Sequence, residues 1–260
     1  MISCLKYSVF AALLFALLNF TGAPCQAYEK DPYQKSDEML SQGENQKAFE
    51  LLKEISGDEV DRAETLWRMA RTQYEMGRLA QSDDKAFAHF QEAEKYARAT
   101  IAEAPDKSVG YKWLAITLGA QTKYADIETQ VRQSREIKEN IDKAISLDPD
   151  DDIAYLVLSR WHYKISALGF WARTFANIVY GELPKASLKD AEDLLLRAIK
   201  IHDRISHRYN LARVYDRMDR REDAKFQYGK ALLLPVTFPE EAQEQEKARI
   251  RLQKRSGNSS

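Results

Sequence analysis

At 260 residues, with 44% hydrophobic and 30% charged side chains, the chain is sized for one or two globular domains and is too apolar to be disordered. A formal net charge of −1 excludes the bulk basic field that nucleic-acid binding uses. Ten glycines and seven prolines over this length leave few tight turns, so the composition favours helices over many short strands.

Residues 1–27 read as a targeting segment. Lys6 supplies a positive start, Val9 to Phe20 is apolar except for Asn19, and Cys25-Gln26-Ala27 ends the segment in a small-x-small pattern. The run is shorter than the roughly 20 apolar residues that a membrane-spanning helix needs. The expectation is a signal peptide cleaved after Ala27, hence a secreted or periplasmic protein with no stable membrane insertion; the alternative is an uncleaved N-terminal membrane anchor. Pro24 before Cys25, and the lack of a leucine three residues ahead, argue against a lipoprotein signal. Both cysteines, Cys4 and Cys25, lie in this segment, so the mature chain has neither disulfide framework nor thiol chemistry.

Residues 28–35 are polar and read as a linker. From Ser36 a helical period begins, with Ser36-Asp37-Glu38 as a capping start and Gly43 as a stop. Ala48, Leu52 and Ile55 form the next stripe, a truncated hairpin that would cap the fold. The second hairpin opens at Ala63 with Leu66, Met69 and Ala70. It turns near Gly77 and returns through Ala93, Ala97 and Thr100, with about eleven extra residues from Leu79 to His89. The third runs from Ser108 through Tyr111, Leu114, Ala115 and Leu118, and returns through Ile137, Ile141 and Ala144. The fourth starts at Asp152 with Tyr155, Leu158 and Ser159, and returns through Ala191, Leu195 and Ala198. Pro149 to Asp203 is 54 residues, about 20 beyond a helical-hairpin period of roughly 34.

The stretch Asn210 to Pro235 is the most regular. Leu211, Ala212 and Tyr215 make one apolar stripe, and Ala224, Tyr228 and Ala231 make another. Small residues alternate with large ones, so two helix backbones can approach at the alanines while leucine and tyrosine fill the space beside them. This is similar to a tetratricopeptide (TPR) hairpin, with Arg208 where a Trp or Tyr is usual. One hairpin cannot bury its own apolar face, so at least about three must stack. The expected fold is therefore all-α: a right-handed stack of TPR-like hairpins with inserted segments over residues 36–238. A polar helix from Pro239 follows as a solubilising cap, and residues 239–260 end in a disordered tail.

Three further stretches narrow the reading: LWRMAR at Leu66–Arg71, KWLAI at Lys112–Ile116, and IKENIDKAISLDP at Ile137–Pro149. With the insertions at the same places, they resemble the regulator of microtubule dynamics family over roughly Ser36 to Pro235. The resemblance implies an all-helical TPR-like domain without catalytic activity. It also implies a link to microtubules and, for one membrane-anchored relative, to organelle contact sites and phospholipid binding.

The insertion from Ser166 to Pro184 holds FWARTFANIVY, which is apolar around most of a helical circumference. It reads as core filler, or alternatively as a lid or docking surface for an apolar ligand. The chain contains no H-E-x-x-H, no phosphate loop of the G-x-x-x-x-G-K type and no G-x-S-x-G. His162 falls on a core stripe at the place Tyr215 holds in the last hairpin, and His202 and His207 are spaced poorly for joint ligation. Asp148-Pro149-Asp150-Asp151-Asp152 lacks the glycine and distal glutamate of a calcium loop and reads as a loop with a helix N-cap. No catalytic residue, metal or cofactor is expected.

Binding remains. In stacked hairpins the first helices line the concave side. Their unpacked stripes place Arg71, Arg160 and Arg213 at one repeat position, with Trp67, Tyr74, Tyr163 and Tyr209 a turn away and Lys112 between. Forked arginine donors suit a carboxylate or phosphate, and aromatic rings give stiff apolar contact. The expectation is a protein or peptide partner held in this groove. A carrier of a phospholipid or other anionic amphipathic ligand is the alternative, and a microtubule-associated role is the alternative that the family resemblance implies.

Overall fold

A computed structural model describes residues 31–56, 61–168, 179, 181, 185–237 and 239–256. The segment read as a signal, residues 28–30 of the expected linker, most of the apolar insertion and the last four residues lie outside the described residues. The chain divides at Gln34 into a unit Met1–Gln34 and a unit Lys35–Ser260, and the helical hairpins belong to the second.

Eleven helices are described: α1 (Gln34–Ser41), α2 (Asn45–Ile55), α3 (Arg62–Leu79), α4 (Asp83–Glu103), α5 (Ser108–Gln121), α6 (Ile127–Leu147), α7 (Asp152–Ser166), α8 (Leu188–Ile201), α9 (Ile205–Arg217), α10 (Arg221–Leu233) and α11 (Pro239–Ser256). The pairs α3/α4, α5/α6, α7/α8 and α9/α10 pack as hairpins, and each return helix also packs on the first helix of the next pair. The first helices α3, α5, α7 and α9 touch in series and form an inner row. No helix among the described residues is long and apolar enough to cross a membrane.

Local chemistry explains where these helices begin. Asp61, Ser82, Asp126, Asp151 and Ser187 stand in extended backbone just before α3, α4, α6, α7 and α8, and each side chain accepts from free first-turn N–H groups. Asp151 of the acidic run accepts from Ile153 N at 3.0 Å and Ala154 N at 3.1 Å, so the cap reading of that run holds. The helix α1 starts two residues ahead of the Ser36 expected to cap it, and Ser36 is buried inside it. The extra residues after Leu79 do not form a loop. A three-residue turn leads straight into α4, which is 21 residues long, and α6 is equally long.

The expected small–large stripes form the core. Ala70, Ala97, Ala144, Ala154, Ala191, Ala198, Ala212, Ala224 and Ala231 are all fully buried, beside Leu114, Leu118, Ile141, Leu195, Leu211 and Tyr228. Gly77, expected at the turn, lies inside the last turn of α3. A Cβ there would stand 2.7 Å from Phe90 Cε1, so glycine is what lets α3 and α4 close on each other. The α9–α10 turn is made by Asp219 in the left-handed region (φ 57°), after which Arg220 N donates to Tyr215 O at 2.9 Å. His162 is structural: it is buried edge-on to Trp161 at 5.0 Å, and Ser187 N donates to its Nδ1 at 3.3 Å.

Candidate functional site

The eight groove residues expected from sequence separate into three groups. At the α3 end, Trp67 Nε1 donates to Glu64 Oε2 at 2.7 Å, and Arg68 stacks on the indole at 4.3 Å. Arg71 lies 3.7 Å from Asp37. Tyr74 packs its ring between Phe90 at 5.6 Å and Trp113 at 5.8 Å. Burial pushes the Tyr74 hydroxyl above its ordinary pKa, with the charge on Glu75 adding to the rise. In the middle, Lys112 is bound to Asp151, the residue that caps α7, so it ties α5 to α7 and is not free for a ligand.

The α7–α9 end is different in kind. Arg160 Nη2 meets Glu244 Oε1 at 2.9 Å, and its Nε donates to Asn210 Oδ1 at 3.3 Å. Arg213 donates to the same Asn210 oxygen at 3.3 Å and lies over the Tyr163 ring at 4.6 Å. Arg217, one helical turn on, also lies over the Tyr163 ring, at 5.1 Å. Lys164 stands beside them. It is exposed, yet the protein packed around it disfavours its charged form, and Arg160 and Arg213 add repulsion, so its pKa is lowered. Among the described residues no carboxylate forms an ion pair with Lys164, Arg213 or Arg217. Two arginines thus share one tyrosine ring, with Lys164 close enough to feel Arg213, and none of the three has an ion-paired carboxylate among the described residues; the mutual repulsion costs electrostatic free energy that an anionic ligand would recover.

Next to this cluster is a pocket of about 410 Å³ lined by Tyr209, Lys247, Ile250, Arg251 and Lys254. Tyr209 is buried against Tyr228, ring centroids 5.9 Å apart, and Tyr228 donates its hydroxyl to Asp216 Oδ2 at 2.8 Å. Burial pushes the Tyr228 phenol up to about 12. Apart from Tyr209, the lining comes from α11, the helix expected to be only a solubilising cap. That helix does more. It packs on α9 and α10, its Ala248 is fully buried in the core cluster of α9 and α10, and its Glu240 and Glu244 reach Arg78 on α3 and Arg160 on α7. The front of α11 therefore lies over the inner row that sequence reasoning left open.

Lys164, Arg217, Arg78 and the α11 residues were not among the sequence candidates. Lys164 and Arg217 sit one turn beyond Arg160 and Arg213, so continuing each arginine stripe by four residues would have found them. The signal for α11 is its charge order: Glu240, Glu241, Glu244 and Glu246 in front, and Lys247, Arg249, Arg251 and Lys254 behind. Among the described residues no group of three or more His, Cys, Asp or Glu is placed to hold a metal ion.

Comparison with known proteins settles the kinship. Residues 33–256 match the family model of regulator of microtubule dynamics protein 1-3. The chain belongs to this family. Curated relatives include regulator of microtubule dynamics protein 3 of Xenopus laevis, 32% identical over 167 residues, covering 64% of this chain and 36% of the frog protein. Protein 1 of Bos taurus is 25% identical over 256 residues, covering 91% of this chain and 80% of its own. Protein 1 of Caenorhabditis elegans is 26% identical over 214 residues and is covered to 94% of its length. The chain thus spans about a third of the first of these relatives and most of the other two. Among solved structures, a thermophilic TPR protein of Thermus thermophilus superposes with a TM-score of 0.63 at 20% identity, over 86% of this chain and 96% of its own. That likeness supports the TPR-like fold of this family member.

Proposed function

We propose that the chain is a non-enzymatic binding module that holds a protein or peptide partner by an acidic segment at the α7–α9 end of its inner face. The observation that carries this is the pair Arg213 and Arg217 over the Tyr163 ring, with Lys164 in the field of Arg213 and no ion-paired carboxylate on any of the three among the described residues. Arginine forks and a lysine point charge suit carboxylates, and the tyrosine ring supplies stiff apolar contact. The test is the pair Lys164→Glu and Arg213→Glu, with pull-down and native mass spectrometry read against circular dichroism. Loss of the bound partner with the helical spectrum unchanged supports the module, because charge reversal at an open cationic site replaces attraction with repulsion. Retention of every partner refutes it. Arg160 is the wrong residue for this test, since reversing it also strands the buried side of Glu244.

The pocket beside the cluster favours a second reading, a carrier of a phospholipid or other anionic amphipathic ligand. The basic Lys247, Arg251 and Lys254 line it together with Ile250 and Tyr209. Native mass spectrometry separates the readings, since a lipid leaves as a small-molecule adduct. A third reading comes from kinship: the relatives are named for microtubule dynamics, and co-sedimentation with polymerised tubulin tests it. The N-terminal sequence supports export with cleavage after Ala27, and an exported chain would not meet tubulin. A peptide-mass measurement that places the mature N-terminus at Tyr28 supports export, while an intact N-terminus in the membrane fraction supports the anchored alternative.

A further inference from the structure

The two halves of α11 are held by different forces. The rear half is core. Gln245 Nε2 donates to Ala231 O at 3.3 Å and Leu234 O at 3.0 Å, Ala248 is fully buried, and Leu252 packs on the same apolar cluster. The front is held locally by the buried Glu241, which accepts from Thr237 N at 2.9 Å and Thr237 Oγ1 at 2.6 Å, and across the inner face by charge. Arg78, whose Nε donates to Glu75 of its own helix at 2.8 Å, turns Nη2 towards Glu240 Oε2 at 3.9 Å, and Glu244 Oε1 lies 2.9 Å from Arg160 Nη2. These carboxylates are one helical turn apart on one face, and the two arginines that receive them come from α3 and α7, two hairpins apart in sequence.

The front also carries a cost. Glu244 Oε2 is buried with no hydrogen-bond partner among the described residues. Burial pushes the Glu244 carboxyl above its ordinary pKa and the nearby Glu241 adds to the rise, while Arg160 and a hydrogen bond with Asn210 work the other way. A buried carboxylate with one satisfied oxygen is a seat that a better-matched occupant can take. Near Arg160 stand Lys164 and Arg213, with which no α11 carboxylate forms an ion pair among the described residues.

We infer that the inner face between Arg78 and Arg160 is a docking surface for an acidic amphipathic helix, and that the front of α11 is its intramolecular stand-in, displaced when a partner helix binds. The partner presents two carboxylates one turn apart towards Arg78 and Arg160, and a further acid reaches Lys164 and Arg213. This rests on the acidic-partner reading above and adds its shape and its regulation. The rear half of α11, from Gln245 on, stays docked, so the hinge falls between Glu244 and Gln245.

The test uses the full chain and a synthetic alanine-based peptide of about 20 residues, long enough to hold a helix in water. It carries glutamates spaced four apart, and a glutamine version is the control. Fluorescence anisotropy compares wild type with Glu240→Gln/Glu244→Gln. The variant should bind the glutamate peptide about tenfold more tightly or better, since its resident segment no longer competes for the arginines, and neither chain should bind the glutamine peptide. In wild type, saturating peptide should speed amide hydrogen exchange at Glu240–Glu244 while exchange near Ala248 and Leu252 stays slow. This second measurement needs no variant and so survives a folding defect in the first. If the peptide binds both chains equally and leaves exchange in the α11 front unchanged, while Lys164→Glu/Arg213→Glu abolishes binding, displacement is refuted and the acidic-partner reading stands. If the peptide binds no version of the chain, that reading falls and the inference falls with it.

Discussion

Replacing Gly77 by alanine isolates helix–helix contact from helix propensity. Alanine in a helix interior is favoured over glycine by about 1 kcal/mol, so an unpacked site should be stabilised. At Gly77 the added Cβ would stand 2.7 Å from Phe90 Cε1, 2.8 Å from Phe90 Cδ1 and 3.1 Å from the backbone oxygen of Ala86. Carbon pairs rest at about 3.5–4.0 Å, so the overlap is roughly 1 Å. The Phe90 ring cannot simply swing aside, because it is buried and lies 5.6 Å from the Tyr74 ring and 6.3 Å from Tyr124. Overpacking of this kind costs about 1–3 kcal/mol, and against the propensity gain the net is a destabilisation of up to about 2 kcal/mol. For a domain of this size that lowers the melting temperature by up to about 8 °C. The internal control is Gly229, inside α10, where a Cβ meets nothing within 4 Å. Gly229→Ala should raise the melting temperature by about 1–4 °C. Thermal melts followed by circular dichroism measure both. If Gly77→Ala stabilises as much as Gly229→Ala, the close α3–α4 approach is wrong.

Further outcomes follow from the same geometry. Ala212 and Ala224 are fully buried where α9 and α10 meet, so either alanine replaced by leucine should cost about 1–3 kcal/mol by urea denaturation, and an unchanged midpoint would refute the contact. Asp151→Ala removes the α7 cap and strands Lys112, and should cost about 1–2 kcal/mol or more; a loss under half of that in the same assay would mean the cap is dispensable. Burial depresses His207, fully enclosed with Nδ1 2.8 Å from His202 O and Nε2 3.4 Å from Asp152, and Arg204 adds to the depression. A histidine lowered in the folded state contributes stability that is present above its ordinary pKa of about 6.5 and lost as pH falls below it. The melting temperature should therefore fall between pH 7.5 and 5.5 in wild type and fall less in His207→Gln. Glu75 and Glu244, whose carboxyls are raised by burial, act in the opposite sense, and the comparison of the two chains cancels their contribution.

The alternation of alanine with leucine and tyrosine at helical spacing determined the hairpins and their cores, because a stripe such as Leu211, Ala212 and Tyr215 has one way to be buried. The Asp151 cap was legible too, since an Asp ahead of an apolar period acts within three residues of chain, whereas Ser36, read as a capping start, lies inside α1. The period alone could not say that the extra residues after Leu79 lengthen α4, because an unbroken polar–apolar run fits either a loop or more helix. The fate of the arginine row was decided only by tertiary structure. Arg71, Arg160 and Arg213 share one repeat position, yet Arg160 meets Glu244, which is 84 residues away, Arg71 meets Asp37 in another hairpin, and Arg213 is left over tyrosine rings. An ion pair depends on which distant carboxylate the superhelix brings within a few ångströms, and no local pattern carries that distance. The same holds for α11: its charge order was visible in sequence, but its place follows from contacts with α9 and α10 and from ion pairs with Arg78 on α3 and Arg160 on α7.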